Sequence, residues 1–133
     1  MKSVHEAGKR KQAVARATLH PGSGKVRINH VLLGQYTPKM YRIKIMEPLI
    51  LVGDAASKVD IDVRVIGGGM SSQADAARLA IAKSLVVFHK GMKLKEAFLA
   101  YDRNLLIADV RRKEVRKPNR HGKARSKTQK SYR

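Results

Sequence analysis

From Gln12 to Leu19 the chain alternates, with Ala13, Ala15, Ala17 and Leu19 on one phase and Val14, Arg16 and Thr18 on the other. This is the period-two pattern of a strand with one covered face. Pro21-Gly22-Ser23-Gly24 supplies a turn, and Lys25-Val26-Arg27-Ile28-Asn29 alternates again. The two segments are therefore expected to pair as a hairpin, with Lys25 and Arg27 directed outward. Thr37-Pro38 has the form of an N-cap followed by proline in the first helical position, introducing a helix over 40–52 that Pro48 interrupts.

Val59 to Ile66 is a further alternating strand, and it ends abruptly at Gly67-Gly68-Gly69. Ser72-Gln73-Ala74-Asp75 has the spacing of a capping box, so a helix is expected to start with Ser72 as its N-cap. Ala74, Ala77, Ile81, Leu85 and Phe88 recur at intervals of three and four on one face, away from Arg78 and Lys83, and His89-Lys90-Gly91 suits a helix end. A shorter helix is expected over 93–103, with Leu94, Ala97, Phe98 and Tyr101 on one side, and a last strand over 105–110. Strands and helices in this order predict an α/β (α+β) fold, a mixed β-sheet packed by helices. One core fits a chain of this size, so residues 1–110 are expected to form a single globular domain.

Charge divides the chain in a second way. Among 133 residues there are 29 Lys and Arg against 10 Asp and Glu, a formal net charge of +19. Residues 111–133 hold 11 of those cations and a single acid, Glu114, with Val115, Ala124 and Tyr132 as sparse apolar positions. Such a segment buries too little to offset the entropy of ordering itself and calls for a partner of opposite charge. We expect 111–133 to be an extended basic C-terminal tail whose partner is nucleic acid, with Arg111, Arg112, Lys113, Arg116, Lys117, Arg120, Lys123, Arg125 and Lys127 facing phosphates. Fully extended, it could reach ~75 Å at roughly 3.3 Å per residue.

The remaining chemistry is sparse. There is no cysteine, and the five histidines have no ligand spacing, so no metal and no cofactor are expected. The N-terminal residues lack the apolar run of a signal peptide, and no stretch approaches the ~18 apolar residues of a membrane span, which predicts a cytoplasmic chain with no membrane partner. Asp60 and Asp62 share a strand face and are read as solvated or paired with basic neighbours. The glycine run admits three readings: a nucleotide loop, a backbone donor to RNA phosphate, or a tight structural junction. It has neither GxGxxG spacing nor a Lys-Ser/Thr pair, and its nearer likeness is to the Gly-rich Ser-Ser loop of kinases related to galactokinase and homoserine kinase.

Gly67-Gly68-Gly69-x-x-Ser72-Gln73-x-x-Ala76-x-x-x-Ala80-x-Ala82-Lys83-Ser84-Leu85 resembles, position by position, the signature of the ninth small-subunit ribosomal protein family. Gly8-Lys9-Arg10-Lys11-Gln12-Ala13-Val14-Ala15-Arg16-Ala17 is similar to that family's opening strand, and Lys130-Ser131-Tyr132-Arg133 to the ending of its archaeal and eukaryotic branch. The likeness departs at Asn29-His30, where many members have glycine after Asn.

The resemblance implies a fold like the second domain of the fifth small-subunit ribosomal protein, one shared with the kinases above, so that the similar loop reflects architecture and not activity. It implies no enzyme but a structural constituent of the small ribosomal subunit. Its partners would be ribosomal RNA of the head (the 3′ major domain), neighbouring head proteins and the tRNA in the peptidyl site. Lys9, Arg10, Lys11 and Arg16 of the opening strand would join the tail as RNA-binding residues, and Lys130, Tyr132 and Arg133 would contact the tRNA.

Overall fold

The computed structural model describes residues 2–120 and 123–125. Five strands form one mixed sheet in the order β1-β2-β5-β3-β4, namely β1 (Val4–Arg10), β2 (Ala13–Pro21), β3 (Val26–Ile28), β4 (Val31–Leu32) and β5 (Val59–Ile66). Three helices pack with it: α1 (Lys39–Val52), α2 (Met70–His89) and α3 (Met92–Tyr101). The expected mixed α+β architecture is the one observed.

The expected hairpin between 12–19 and 25–29 does not form, because β5 lies between its arms. β5 pairs antiparallel with β2, Val14 opposite Ile66 through Pro21 opposite Val59, and parallel with β3, Val26 opposite Ile61. Asp60 secures the turn in this arrangement. Its carboxylate accepts the N–H groups of Ser23 at 2.8 Å and Lys25 at 2.9 Å, while the Gly22 N–H donates to the Lys58 carbonyl at 3.0 Å. The turn is thereby wrapped around the start of β5, and a Cβ on Gly22 would fall 2.2 Å from the Asp60 Cγ. The hairpins that do form are β1–β2, closed by Lys11 and Gln12, and β3–β4, closed by Asn29 and His30. Both residues of the second turn are left-handed, with φ of 48° and 69°, the backbone of a type I′ turn.

Ala13, Ala15, Ala17 and Leu19 of β2, with Val59, Ile61, Val63 and Val65 of β5, face α2 and are buried. On α2, the anticipated Ala74, Ala77, Ile81 and Leu85 are fully buried, and Phe88 is half-buried against the core. The small side chains let the helix lie close to the sheet. Gly8 marks the closest approach, since a Cβ there would stand 2.3 Å from the Ala76 carbonyl oxygen.

Several helix boundaries differ from expectation. α2 starts at Met70 with Gly69 as N-cap, so Ser72 lies inside the helix and the capping box does not form. Gly67 and Gly68, with φ of 76° and 67°, turn the chain sharply enough to begin the helix early. α1 is continuous through Pro48, whose ring is buried in the helix layer, and its N-cap is Pro38 rather than Thr37. At the end of α2 the left-handed residue is Lys90, φ 51°, one position before the expected glycine.

α3 directs Phe98 into the core and half-buries Leu94, leaving Ala97 and Tyr101 exposed. No strand forms over 105–110. The Asp102 carboxylate accepts the Asn104 N–H at 2.9 Å and starts a single 3-10 turn, Arg103–Leu105, which inserts Leu105 into the core as an isolated plug. Arg78, expected off the apolar face, is buried as well. Its guanidinium pairs with Glu47 of α1 and, at 3.0 Å, with Asp102 just past the end of α3, joining α2 to α1 and to the turn that follows α3. Burial pushes the Asp102 carboxyl up, but the Asn104 N–H and Arg78 outweigh it and hold the group below its ordinary value.

Candidate nucleic-acid interface

The β1–β2 turn and the start of α2 come together at one edge of the domain. A Cβ on Gly67 would lie 2.7 Å from the Gln12 carbonyl oxygen, and one on Gly68 would lie 3.0 Å from the Ala13 nitrogen. The glycine run thus seats the hairpin tip against the helix, which supports the reading of a tight structural junction. Residues 111–113 pass the same place. Together they line a cleft of about 770 Å3 whose charged side chains are Arg10, Lys11, Arg111, Arg112 and Lys113, with Gln12, Gly68, Gly69 and Ser72 between them. No acid lines it. The first turn of α2 contains no acid and has no side-chain cap, so the positive end of the helix adds to the same field. A cleft of this kind suits the phosphates of a polyanion.

Arg10 forms the back wall of the cleft. It turns inward toward Asp75 at 4.0 Å and Asp109 at 3.6 Å, with its side chain 16 % exposed. Asp75 is held in turn by Lys44 of α1 at 2.6 Å. Asp109 is bound chiefly by Arg111, whose guanidinium and backbone N–H both donate to it, and its carboxyl is held far below the ordinary range. The Arg111 guanidinium is correspondingly raised. These carboxylates fix the position of Arg111 beside the end of β1.

The family model described as ribosomal protein S9/S16 matches residues 8–133. The chain belongs to this family. It is 53 % identical over 134 residues to the small ribosomal subunit protein uS9 of Methanococcus maripaludis strain C7, covering all of both chains. It is 52 % identical to that of Methanococcus vannielii and 50 % identical to that of Methanothrix thermoacetophila, again with both chains covered in full.

In this member of the family, the residues singled out from the sequence fall into three places. Lys11, Arg111, Arg112 and Lys113 meet at the cleft, with Arg10 behind them. Lys9 and Arg16 are exposed on the opposite, helix-free face of the sheet. Arg116, Lys117, Arg120, Lys123 and Arg125 are exposed in a segment without helix or strand. Within that segment Arg125 grips Glu114, its Nε lying 3.0 Å from each carboxylate oxygen, which lowers the glutamate's pKa and raises the arginine's. Lys127, Lys130, Tyr132 and Arg133 lie outside the described residues.

The roles of Asp75, Asp109 and Lys44 were not read from the sequence. The Asp109-x-Arg111 spacing was the available signal, because an Asp side chain readily accepts the N–H two residues on. Lys44 and Asp75 belong to different helices, and no local spacing relates them. Arg64 alternates with Val63 and Val65 and lies exposed on the outward phase of β5. Asp62 pairs with Arg27 at 3.5 Å, in keeping with its reading as a partner of basic neighbours. No helix is long and apolar enough to cross a membrane, and no group of three or more metal-ligating side chains occurs, both among the described residues.

Proposed function

We propose that the chain is a structural constituent of the small ribosomal subunit, working in the ribosome in the cytoplasm, with no catalytic role. The observation that carries this reading is the 50–53 % identity, over the full length of both chains, with small ribosomal subunit proteins, and the acid-free cationic cleft supplies the physical means. Residues 1–110 act as the RNA-binding domain. Residues 111–133 act as a tail that starts from the cleft and runs along ribosomal RNA of the head, among neighbouring head proteins.

In this reading the globular domain contributes Lys9, Arg10, Lys11 and Arg16 to the RNA surface, and the tail contributes the cations from Arg111 to Lys127. Most of these contacts are to phosphate, so they position the chain and read little sequence. Lys130, Tyr132 and Arg133 reach the tRNA in the peptidyl site, where a ring beside cations can stack on an exposed base.

Sedimentation of a tagged copy through a sucrose gradient, before and after a high-salt wash, tests the first part. Co-migration with the small subunit that survives the wash is expected, and release to the top of the gradient overturns the reading. Deleting Ser131 to Arg133 tests the second. The truncated chain should still assemble, while its subunits hold peptidyl-site tRNA less firmly. Loss of assembly from that deletion would count against the division of labour.

A further inference from the structure

The helices pack on one face of the sheet, and on the other face β2 and β5 set Arg16 directly opposite Arg64, both exposed. Like charges facing each other across an antiparallel pair destabilise it. Among the described residues neither guanidinium has a carboxylate within ion-pair distance. Asp62, on the adjoining row of that face, is already engaged by Arg27 at 3.5 Å. The fold therefore carries an unneutralised pair of arginines that it does not need for its own core.

Two hollows flank the pair. One, of about 790 Å3, is lined by Ala7, Ala17 and Val63, with Arg16, Arg27 and Arg64 as its cations and Glu6 and Asp62 as its acids. The other, of about 310 Å3, is bounded by Val14 and Ile66 and extends to Gln12 at the hairpin tip. Gln12 also lines the cleft that holds Lys11 and Arg111, so a cationic path runs from the open face around the tip.

We propose that this open face is a second RNA surface, in which Arg16 and Arg64 together grip the phosphates of a strand whose path continues around the hairpin tip into the cleft. The proposal rests on the reading of the chain as an RNA-binding ribosomal constituent and adds the site and the paired residues. An anion between the two guanidinia relieves their repulsion, and the planar fork of arginine matches phosphate oxygens two at a time. RNA fits better than an acidic protein segment. No Phe, Tyr or Trp lines either hollow, whereas protein interfaces draw much of their binding energy from buried Trp and Tyr anchors.

The test uses the purified full chain and a transcript of the 3′ major domain of small-subunit ribosomal RNA, with affinity measured across a salt series. The Arg16→Gln, Arg64→Gln double variant should bind at least about tenfold more weakly at low salt and lose roughly 1.4 to 1.8 from the slope of log K against log salt. Its thermal midpoint should stay level or rise, because the repulsion is gone. The Arg16→Lys, Arg64→Lys variant should keep most of the slope.

Unchanged affinity and slope in the Gln variant would overturn the proposal while leaving the broader reading intact. A lower midpoint that accounts for the weaker binding would assign the pair to the fold and overturn it too. Binding of poly-glutamate that depends on both arginines, with RNA binding unaffected, would replace RNA by an acidic protein segment. Failure of the unaltered chain to bind the transcript would sink the broader reading itself.

Discussion

The carboxylate of Asp109 is clasped by Arg111, two residues further along. The Arg111 Nη2 donates to Oδ2 at 2.7 Å, Nε to Oδ2 at 2.9 Å, and the backbone N–H to Oδ1 at 2.9 Å. Arg10 approaches the same Oδ2 at 3.6 Å, so one carboxylate ties the root of the tail to the end of β1. Asp109→Asn keeps the size and removes the charge. Because the native carboxyl is held far below its ordinary value, its stabilising contribution is complete above the unfolded pKa of about 3.9 and is lost as pH falls toward the depressed native value. The variant should melt earlier than the native chain at neutral pH, and the gap should shrink below about pH 4. Its tail root should also be cut sooner by trypsin at 111–113. Equal melting and equal cleavage at neutral pH would dismiss the clasp.

Arg78 offers a larger effect, because its side chain is only 9 % exposed between Glu47 and Asp102. Replacing it with Met leaves two carboxylates without their partner in a partly buried setting. Such a loss costs about 3–5 kcal/mol when all groups are deeply buried. Here the acids keep 27 % and 35 % exposure, so about 2–3 kcal/mol is expected once solvent screening is allowed for. Urea unfolding of Arg78→Met measures it. Adding Glu47→Gln and Asp102→Asn should recover part of the loss, and additive destabilisation instead would argue against a charge network.

Gly8→Ala tests the close seating of α2. The added methyl would lie 2.3 Å from the Ala76 carbonyl oxygen and 2.8 Å from the Ala80 nitrogen, and both are backbone atoms of a buried helix that cannot swing aside. β1 must then move off α2, at a cost of about 1–3 kcal/mol or more. Thermal unfolding should show a clear drop in midpoint. A neutral result would mean that the strand and helix separate more easily than their packing suggests.

These three positions also show where the sequence was and was not informative. β5 was legible to the residue, because apolar and polar residues alternate from Val59 to Val65 and the strand stops at Gly67 and Gly68, whose left-handed φ glycine adopts without steric cost. The buried stripe of α2 was legible for a similar reason. Strand partnership was not. Alternation says that β2 and β3 are strands, but the insertion of β5 between them depends on Asp60 reaching back to Ser23 and Lys25, which is a tertiary fact. Arg78 was misjudged because its partners come from elements 31 and 24 residues away in sequence, Glu47 and Asp102. Lys11, Arg111, Arg112 and Lys113 were all singled out by their charge, yet their meeting at one cleft requires the chain to return past the hairpin tip after Leu105 anchors it.

That meeting leads to the last expectation, which separates the cleft from the rest of the tail. If Arg111, Arg112 and Lys113 act with Lys11 on neighbouring phosphates, changing the three to Gln should lower the salt slope of RNA binding by roughly 2 to 3, near 0.7–0.9 for each phosphate released. Changing Arg116, Lys117 and Arg120 to Gln removes the same formal charge from exposed positions outside that cleft. A purely diffuse attraction, set by net charge alone, would make the two triple variants indistinguishable. A fixed cleft at the end of α2 should make the first variant the weaker binder, since its charges start from positions held by Asp109 and by the seated hairpin. Releasing residues 111–113 with Asp109→Asn should then bring the intact tail part of the way toward the first variant, although that substitution removes a negative charge and would strengthen a merely diffuse attraction. Measured together in one salt series, the opposite signs predicted for Asp109→Asn decide between a shaped cleft and a charged cloud.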